Sequence, residues 1–319
     1  MSSSFSTRSF SRVVSLLPSA TEMVHYVGAG EALVGVTHEC DFPRGVEHLP
    51  KLTASKIDGS ASSAEIDAAV GRLSDEGSIY ALDASLLEKL APDLVITQGL
   101  CDVCAVSVDV VQEAAACLPV PPRILSLNPT SLEGVFTDLV ALGGTLGRAE
   151  EARKEVADLR VRLARVGEAV ADRGRPRVGC IEWLDPPFSA GHWVPEMVRL
   201  AGGEELFAGP GEPSARLTWE GVFGAAPEVL VLMPCGFDAR RAVSEARALS
   251  GLPGWGEVPA VRSGRVWMAD ANSYFSRPAP RLVEGVEILA RILHPQAFDD
   301  APDPADALPF APSLSGTKS

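Results

Sequence analysis

Between Arg148 and Asp172 the chain carries no proline and one glycine, Gly167, and on either side short apolar runs alternate with helix-like ones. Val156, Leu159, Leu163, Val166 and Val170 recur at steps of three and four, which makes one apolar stripe along a helix. Glu150–Lys154 and Asp158–Arg162 are i,i+4 pairs in the favourable orientation. At 1.5 Å per residue such a helix is about 37 Å long, enough for a stiff spacer between two α/β lobes. The other reading is a surface helix of one large domain.

The flanking pattern sets the class. Strands are expected over 12–17, 32–37, 93–97 and 123–127, with helices over 20–27, 86–90 and 108–117. After the long helix, strands over 177–183, 229–233 and 265–268 alternate with helices over 194–201, 239–248 and 280–293. Such βα alternation predicts an α/β protein of two Rossmann-like lobes with mostly parallel sheets, joined by one long helix, with a ligand cleft between the lobes. The expected divisions are a disordered leader over 1–10, an N-terminal lobe over 11–147, the linking helix over 148–173, a C-terminal lobe over 174–294 and a disordered acidic tail over 295–319. An internal echo supports two related lobes: EKLAPDLVITQG (88–99) and FGAAPEVLVLMPCG (223–236) each read as helix end, Ala-Pro break, acidic residue, apolar strand and polar loop. At the first helix, Ser19 and Glu22 have the spacing of a capping box.

Charge excludes some partners. With 28 Lys+Arg against 42 Asp+Glu the net charge is −14, which argues against a nucleic-acid or anionic-membrane surface. At 46% hydrophobic and 22% charged, the chain can bury a large core. No apolar run approaches the roughly 20 residues needed to span a bilayer. Arg8 and Arg12 precede an apolar stretch that runs only from Val13 to Leu17 before Pro18, shorter than the usual signal core of about 7–15 residues. A buried strand fits it better, and a cytoplasmic location is expected.

In open α/β sheets ligands bind beyond the carboxyl ends of the strands, and the chemically unusual residues fall there. His38-Glu39-Cys40 follows the second strand, Gln98 and the Cys101–Cys104 turn follow the third, and Cys235 follows the strand at 229–233. Glu182 and Trp183 end the strand at 177–183, His192 and Trp193 stand in the next loop, and Trp219, Tyr274 and Phe275 complete the candidate ligand contacts. Aromatic rings in that number suit a large flat ligand. Cys40, Cys101 and Cys104, with His38 or Glu39, could hold zinc or an iron–sulfur cluster, or act in redox chemistry. For Cys101 and Cys104 this stands level with simple packing, whereas Cys117 and Cys180 read as packing residues. His25 reads as packed or surface, His48 and His294 stand at loop and helix-end positions with no expected partners, and Trp255 and Trp267 read as structural. Neither a P-loop, a G-x-S-x-G elbow nor H-E-x-x-H occurs, and no catalytic residue is assigned.

RVVSLLPSATEMVHYVGAGEALVGVTHECDFP, LEKLAPDLVIT, DPPFSAGHWVPEMVRLAGGEELF and YFSRPAPRLVEGVEIL together resemble the cobalamin-binding periplasmic proteins of ABC importers. These belong to the helical-backbone (class III) substrate-binding proteins for cobalamin, siderophores, haem and metals. The resemblance covers about residues 11–294. It implies two lobes joined by a long helix, and capture of cobalamin or another corrinoid between them without large hinge closure. The implied ligand-facing places are the 38–42 loop, Gln98 with the residues after it, Trp183, Trp219 and Tyr274-Phe275. It also implies a periplasmic location as the alternative to a cytoplasmic one. An exported protein would have an ABC permease as partner, met by acidic residues on each lobe such as Glu22 and Glu196 or Glu204. The second function on the same scaffold is a cytoplasmic metal- or Fe–S-binding protein or redox enzyme using Cys40, Cys101 and Cys104.

Overall fold

The computed structural model describes residues 10–75, 79–99 and 106–310. The chain divides into two compact units, one of Met1–Ala61, Ala68–Pro129 and Glu133–Leu159, the other of Ser62–Asp67, Thr130–Leu132 and Arg160–Ser319.

The elements of the first unit are β1 (Val13–Ser15), α1 (Pro18–Tyr26), β2 (Leu33–Gly35), β3 (Thr53–Ser55), α2 (Ser63–Asp75), β4 (Tyr80–Leu82), α3 (Ala84–Leu90), β5 (Leu94–Thr97), α4 (Val108–Ala116), β6 (Arg123–Ser126) and α5 (Leu132–Thr145), followed by α6 (Ala149–Val170). α2, α5 and α6 each contribute residues to both units. The sheet has the order β2-β1-β5-β6 and is parallel throughout. Val13, Val14, Leu94, Val95 and Ile96 are wholly buried, the continuous apolar pattern of strands covered on both faces. β3 and β4 form a separate antiparallel pair, Thr53 opposite Leu82. The run Val13–Leu17 is therefore β1 and the step into α1. No capping box forms: α1 starts at Pro18, whose fixed φ suits the first helical position, and this draws Ser19 and Glu22 inside the helix, both buried.

In the second unit the chain forms β7 (Arg177–Leu184), β8 (Pro187–Ser189), α7 (Val194–Leu200), β9 (Glu204–Glu205), α8 (Trp219–Gly224), β10 (Val229–Leu232), α9 (Ala239–Ala246), α10 (Pro259–Arg262), β11 (Val266–Ala269), α11 (Ala271–Tyr274), α12 (Leu282–Leu293) and β12 (Ala307–Pro309). The sheet order is β12-β11-β10-β7-β8, with β9 also on β7. β7, β9, β10 and β11 run parallel, while β8 and β12 are antiparallel edges. Ile181, Leu230, Leu232, Met268, Trp255 and Phe310 share one core.

Along α6, Val156 and Leu159 are buried in the first unit and Val166 and Val170 in the second, with Leu163 half-buried, so the predicted stripe is the packed face. The expected i,i+4 ion pairs give way to other partners. Glu150 meets Arg153 at 2.6 Å, and Arg162 holds Glu287 through two N–H···O bonds of 2.9 Å and Glu284 through one of 3.3 Å. A bidentate contact with a second carboxylate beside it outcompetes a single exposed pair on the same helix.

The sequence echo has a structural counterpart in the two units. Ala91 and Ala226, each just before a proline, sit at φ 41° and 48°, a left-handed turn that ends the preceding helix. The acidic residue that follows ties down the start of the neighbouring strand. Asp93 accepts the Arg12 backbone N–H at 3.0 Å, and Glu228 accepts that of Arg177 at 2.8 Å.

The tail reading is corrected over 295–310. β12 pairs with β11 at Ala307 opposite Ala269, and Ala307 and Phe310 are buried. Three residues with a proline carry too little periodicity to announce a strand; the partner edge supplies the order.

Candidate functional site

In the first unit, the carboxyl ends of β1 and β2 open on a shallow concavity of about 10 Å³, room for about one water, whose polar lining is Thr37, His38, Glu39, Thr53 and Tyr80. His38 is fixed there from two sides. Its backbone N–H donates to Thr53 Oγ1 at 3.2 Å, and its Nδ1 lies 2.8 Å from the same oxygen. The imidazole packs on Tyr80 with centroids 5.7 Å apart, and Nε2, 3.6 Å from Glu39 Oε1, is buried without a hydrogen-bond partner among the described residues. Thr53 and Tyr80 come from the β3–β4 pair, which the sequence pattern does not reveal; three-residue strands carry too little periodicity to be found. Gln98 is buried at the end of β5.

Cys40 does not face this concavity. Its buried Sγ lies 3.1 Å from Thr21 Oγ1 and 3.3 Å from Thr37 Oγ1, so it packs between two hydroxyls under the loop. Cys101 and Cys104 lie outside the described residues. Among the described residues no group of three or more His, Cys, Asp or Glu side chains could hold a metal, and the zinc or iron–sulfur expectation gains no support. Cys117, expected as packing, is exposed.

In the second unit, β7 ends with Glu182 and Trp183. Glu182 is deeply buried, which raises its carboxyl pKa, while the Ser214 hydroxyl and the Gly191 N–H at 3.4 Å favour the ionised form. Trp183 Nε1 donates to the Ser63 carbonyl at 3.2 Å, and its ring meets Phe237 edge-on at 5.5 Å. Cys235 is exposed in the turn after β10, its N–H donating to the Glu182 carbonyl at 3.0 Å.

His192 stands in the loop after β8 at φ 54°, its N–H on the Glu212 carbonyl at 2.5 Å. Burial lowers its pKa, which favours the neutral ring, and Nδ1 is buried without a hydrogen-bond partner among the described residues. This conformation depends on Gly191, where a Cβ would stand 2.4 Å from the Ser214 nitrogen.

Several expected ligand contacts have structural partners instead. Trp193 is buried and donates to the Phe275 carbonyl at 2.7 Å, and Phe275 is itself buried. Trp219 Nε1 donates to the Leu184 carbonyl at 3.2 Å while its ring packs on the core. Tyr274 is half-buried against Asp306, and burial together with that carboxylate raises its hydroxyl pKa. Of the acidic residues expected to meet a permease, Glu22 is wholly buried and Glu196 accepts the Leu132 N–H at 3.0 Å; Glu204 is exposed.

Known proteins are similar to this chain in sequence and fold. The vitamin B12-binding protein of Vibrio cholerae is 23% identical over 280 residues, covering 86% of each chain. The cobalamin-binding protein of Halobacterium salinarum is 26% identical over 290 residues, 89% of this chain and 69% of its own. The crystal structure of a periplasmic haem-binding protein from Pseudomonas aeruginosa superposes with a TM-score of 0.70 at 22% identity, over 95% of this chain and 99% of that one. Its fold is thus shared nearly end to end. The family model for periplasmic binding proteins matches residues 13–272, and the chain belongs to that family.

Proposed function

We propose that this protein captures a corrinoid, cobalamin or a close relative, and presents it to an ABC permease. What supports the reading most is the length of the similarity: relatives named for vitamin B12 and cobalamin align over 86 and 89% of the chain. The chemistry at the strand ends agrees with it. Trp183 offers a ring for the flat face of a macrocycle. His192 Nδ1, buried without a hydrogen-bond partner among the described residues, offers a polar position for its periphery. Tyr274, Trp193, Phe275 and Trp219 are left to support the loops. The expected cytoplasmic location gains no support from a periplasmic family, and the reading places the working protein outside the cytoplasm, with exposed Glu204 available to a permease arginine. No helix among the described residues is long and apolar enough to cross a membrane.

Titration of the purified protein with cobalamin, cobinamide and haemin, followed by calorimetry and by ligand absorbance, tests it. Saturable one-site binding of a corrinoid is expected. No binding of either corrinoid at about 100 µM, roughly −5.5 kcal/mol, overturns the reading.

A further inference from the structure

We propose that Glu245 is a positioning residue for Trp183: acting through Ser63, it fixes the indole so that the ring is already set before a ligand arrives. The inference rests on the corrinoid reading, in which Trp183 offers its ring to the macrocycle, and names what in this chain holds that ring in place. Ser62–Asp67, which includes the start of α2, groups with the second unit. Three hydrogen bonds meet at Ser63. Its backbone N–H and its hydroxyl both donate to Glu245 Oε2, at 3.2 and 2.9 Å, and its carbonyl accepts the Trp183 Nε1–H at 3.2 Å. Glu245 stands on α9. Phe237, just ahead of that helix, meets the same indole edge-on at 5.5 Å and carries the Arg241 guanidinium 3.6 Å over its own ring.

An indole has a single hydrogen-bond donor. Here it is spent on Ser63, so a ligand meets the ring and not its N–H. That bond is only as fixed as the Ser63 carbonyl. The carbonyl lies in the first turn of α2, where backbone N–H groups have no partner inside the helix. The Glu245 carboxylate takes up one of them together with the hydroxyl of the same residue, and both bonds are charge-assisted. Trp183 is half-buried, and a ring pinned in this way has less freedom left to lose when a macrocycle stacks on it; the saving appears as affinity. Were Glu245 only a cap for α2, its loss would lower stability and leave the indole and the affinity as they are.

The test combines cobinamide calorimetry with hydrogen exchange of the Trp183 indole N–H in the ligand-free protein, its NMR signal assigned by its loss in Trp183→Phe. Glu245→Ala should weaken cobinamide binding at least fivefold and speed indole exchange at least tenfold. Glu245→Gln, whose amide oxygen still accepts from Ser63, should stay within threefold of the wild type in both. Ser63→Pro removes both hydrogens given to Glu245 at a helical position that tolerates proline, and should match Glu245→Ala even if that variant does not fold. In a Trp183→Ala background, Glu245→Ala should cost less than twofold in affinity, because the ring it positions is gone. If Glu245→Ala or Ser63→Pro leaves indole exchange unchanged, or if Glu245→Ala weakens binding equally in both backgrounds, the positioning role is overturned while wild-type binding keeps the corrinoid reading. If no corrinoid binds the wild type at all, the corrinoid reading falls and takes this inference with it.

Discussion

Asp93 holds Arg12 by its backbone: the carboxylate accepts the Arg12 N–H at 3.0 Å and the Ser11 N–H at 2.9 Å, where the chain enters β1. The Arg12 guanidinium in turn donates to the Leu90 carbonyl at the end of α3. Glu228 and Arg177 repeat the arrangement in the second unit, the carboxylate on the Arg177 N–H and the guanidinium on the Ala225 carbonyl at 2.6 Å. Each clamp joins a helix end to the start of a central strand. Charge-assisted bonds of this kind contribute about 1–3 kcal/mol each where shielded, and less at exposed positions such as these. Asp93→Ala, which loses two backbone bonds, should therefore cost about 2 kcal/mol, and Glu228→Ala, which loses one, about 1 kcal/mol. Chemical unfolding midpoints would show it. An equal or larger cost for Glu228→Ala would mean that these bonds do not set the effect.

Glu205 predicts a pH dependence. Burial beside the Cys180 thiol pushes its carboxyl up to about 8, against 4.5 for a free glutamate. The folded chain thus keeps a proton that the unfolded chain releases. Below 4.5 both states are protonated and stability is whole; as pH rises from 4.5 to 8 only the unfolded state ionises, and stability falls by on the order of 5 kcal/mol. Glu205→Gln has no proton to lose. Its unfolding midpoint should exceed that of the wild type at pH 8.5 and differ little at pH 4.5. Parallel wild-type and variant curves would count against the buried carboxyl.

The sequence made the central strands visible because β5 and β10 are short, wholly buried runs, apolar but for Thr97, ended by polar loops, where an open α/β sheet is expected to take its ligand. It hid the edges. β8, β9 and β12 have two or three residues each, and only a partner strand gives them order. It also hid which aromatic side chains are engaged. Trp193 reaches the carbonyl of Phe275 across 82 positions of sequence, and Tyr274 meets Asp306 in a segment whose composition reads as a tail. Local pattern reports what a residue is, whereas a hydrogen-bond partner at that separation is fixed only by the fold.

That segment should prove structural. Phe310 packs edge-on against Trp255 at 6.0 Å and its N–H donates to the Val266 carbonyl at 2.8 Å, while the Asp270 N–H donates to the Asp306 carbonyl at 2.8 Å. Phe310→Ala should cost about 3 kcal/mol, as for other buried aromatic truncations. Asp306→Asn removes the negative charge beside Tyr274, so the phenol should ionise at lower pH, nearer the ordinary 10. With three tyrosines in the chain, absorbance at alkaline pH should resolve the shifted one. An unchanged titration would mean that burial alone holds the Tyr274 proton.

At Gly191 the loop after β8 lies close against the 212–214 backbone. A Cβ there would stand 2.4 Å from the Ser214 nitrogen, 2.7 Å from the Pro213 carbonyl carbon and 2.8 Å from the Glu212 oxygen, all backbone atoms that cannot swing aside. At Gly209 the atoms nearest a Cβ belong to the Glu212 side chain, at 3.1 Å, which can move. Gly191→Ala should therefore force the 212–214 segment away, break the bond from the His192 N–H to Glu212 and open Glu182 to water. The expected cost is about 2–3 kcal/mol of stability, together with at least a tenfold loss of corrinoid affinity. Gly209→Ala should cost under about 1 kcal/mol and leave affinity within threefold. Melting and titration of the two variants side by side separate the possibilities. If Gly191→Ala loses stability but keeps full affinity, the His192 loop takes no part in binding.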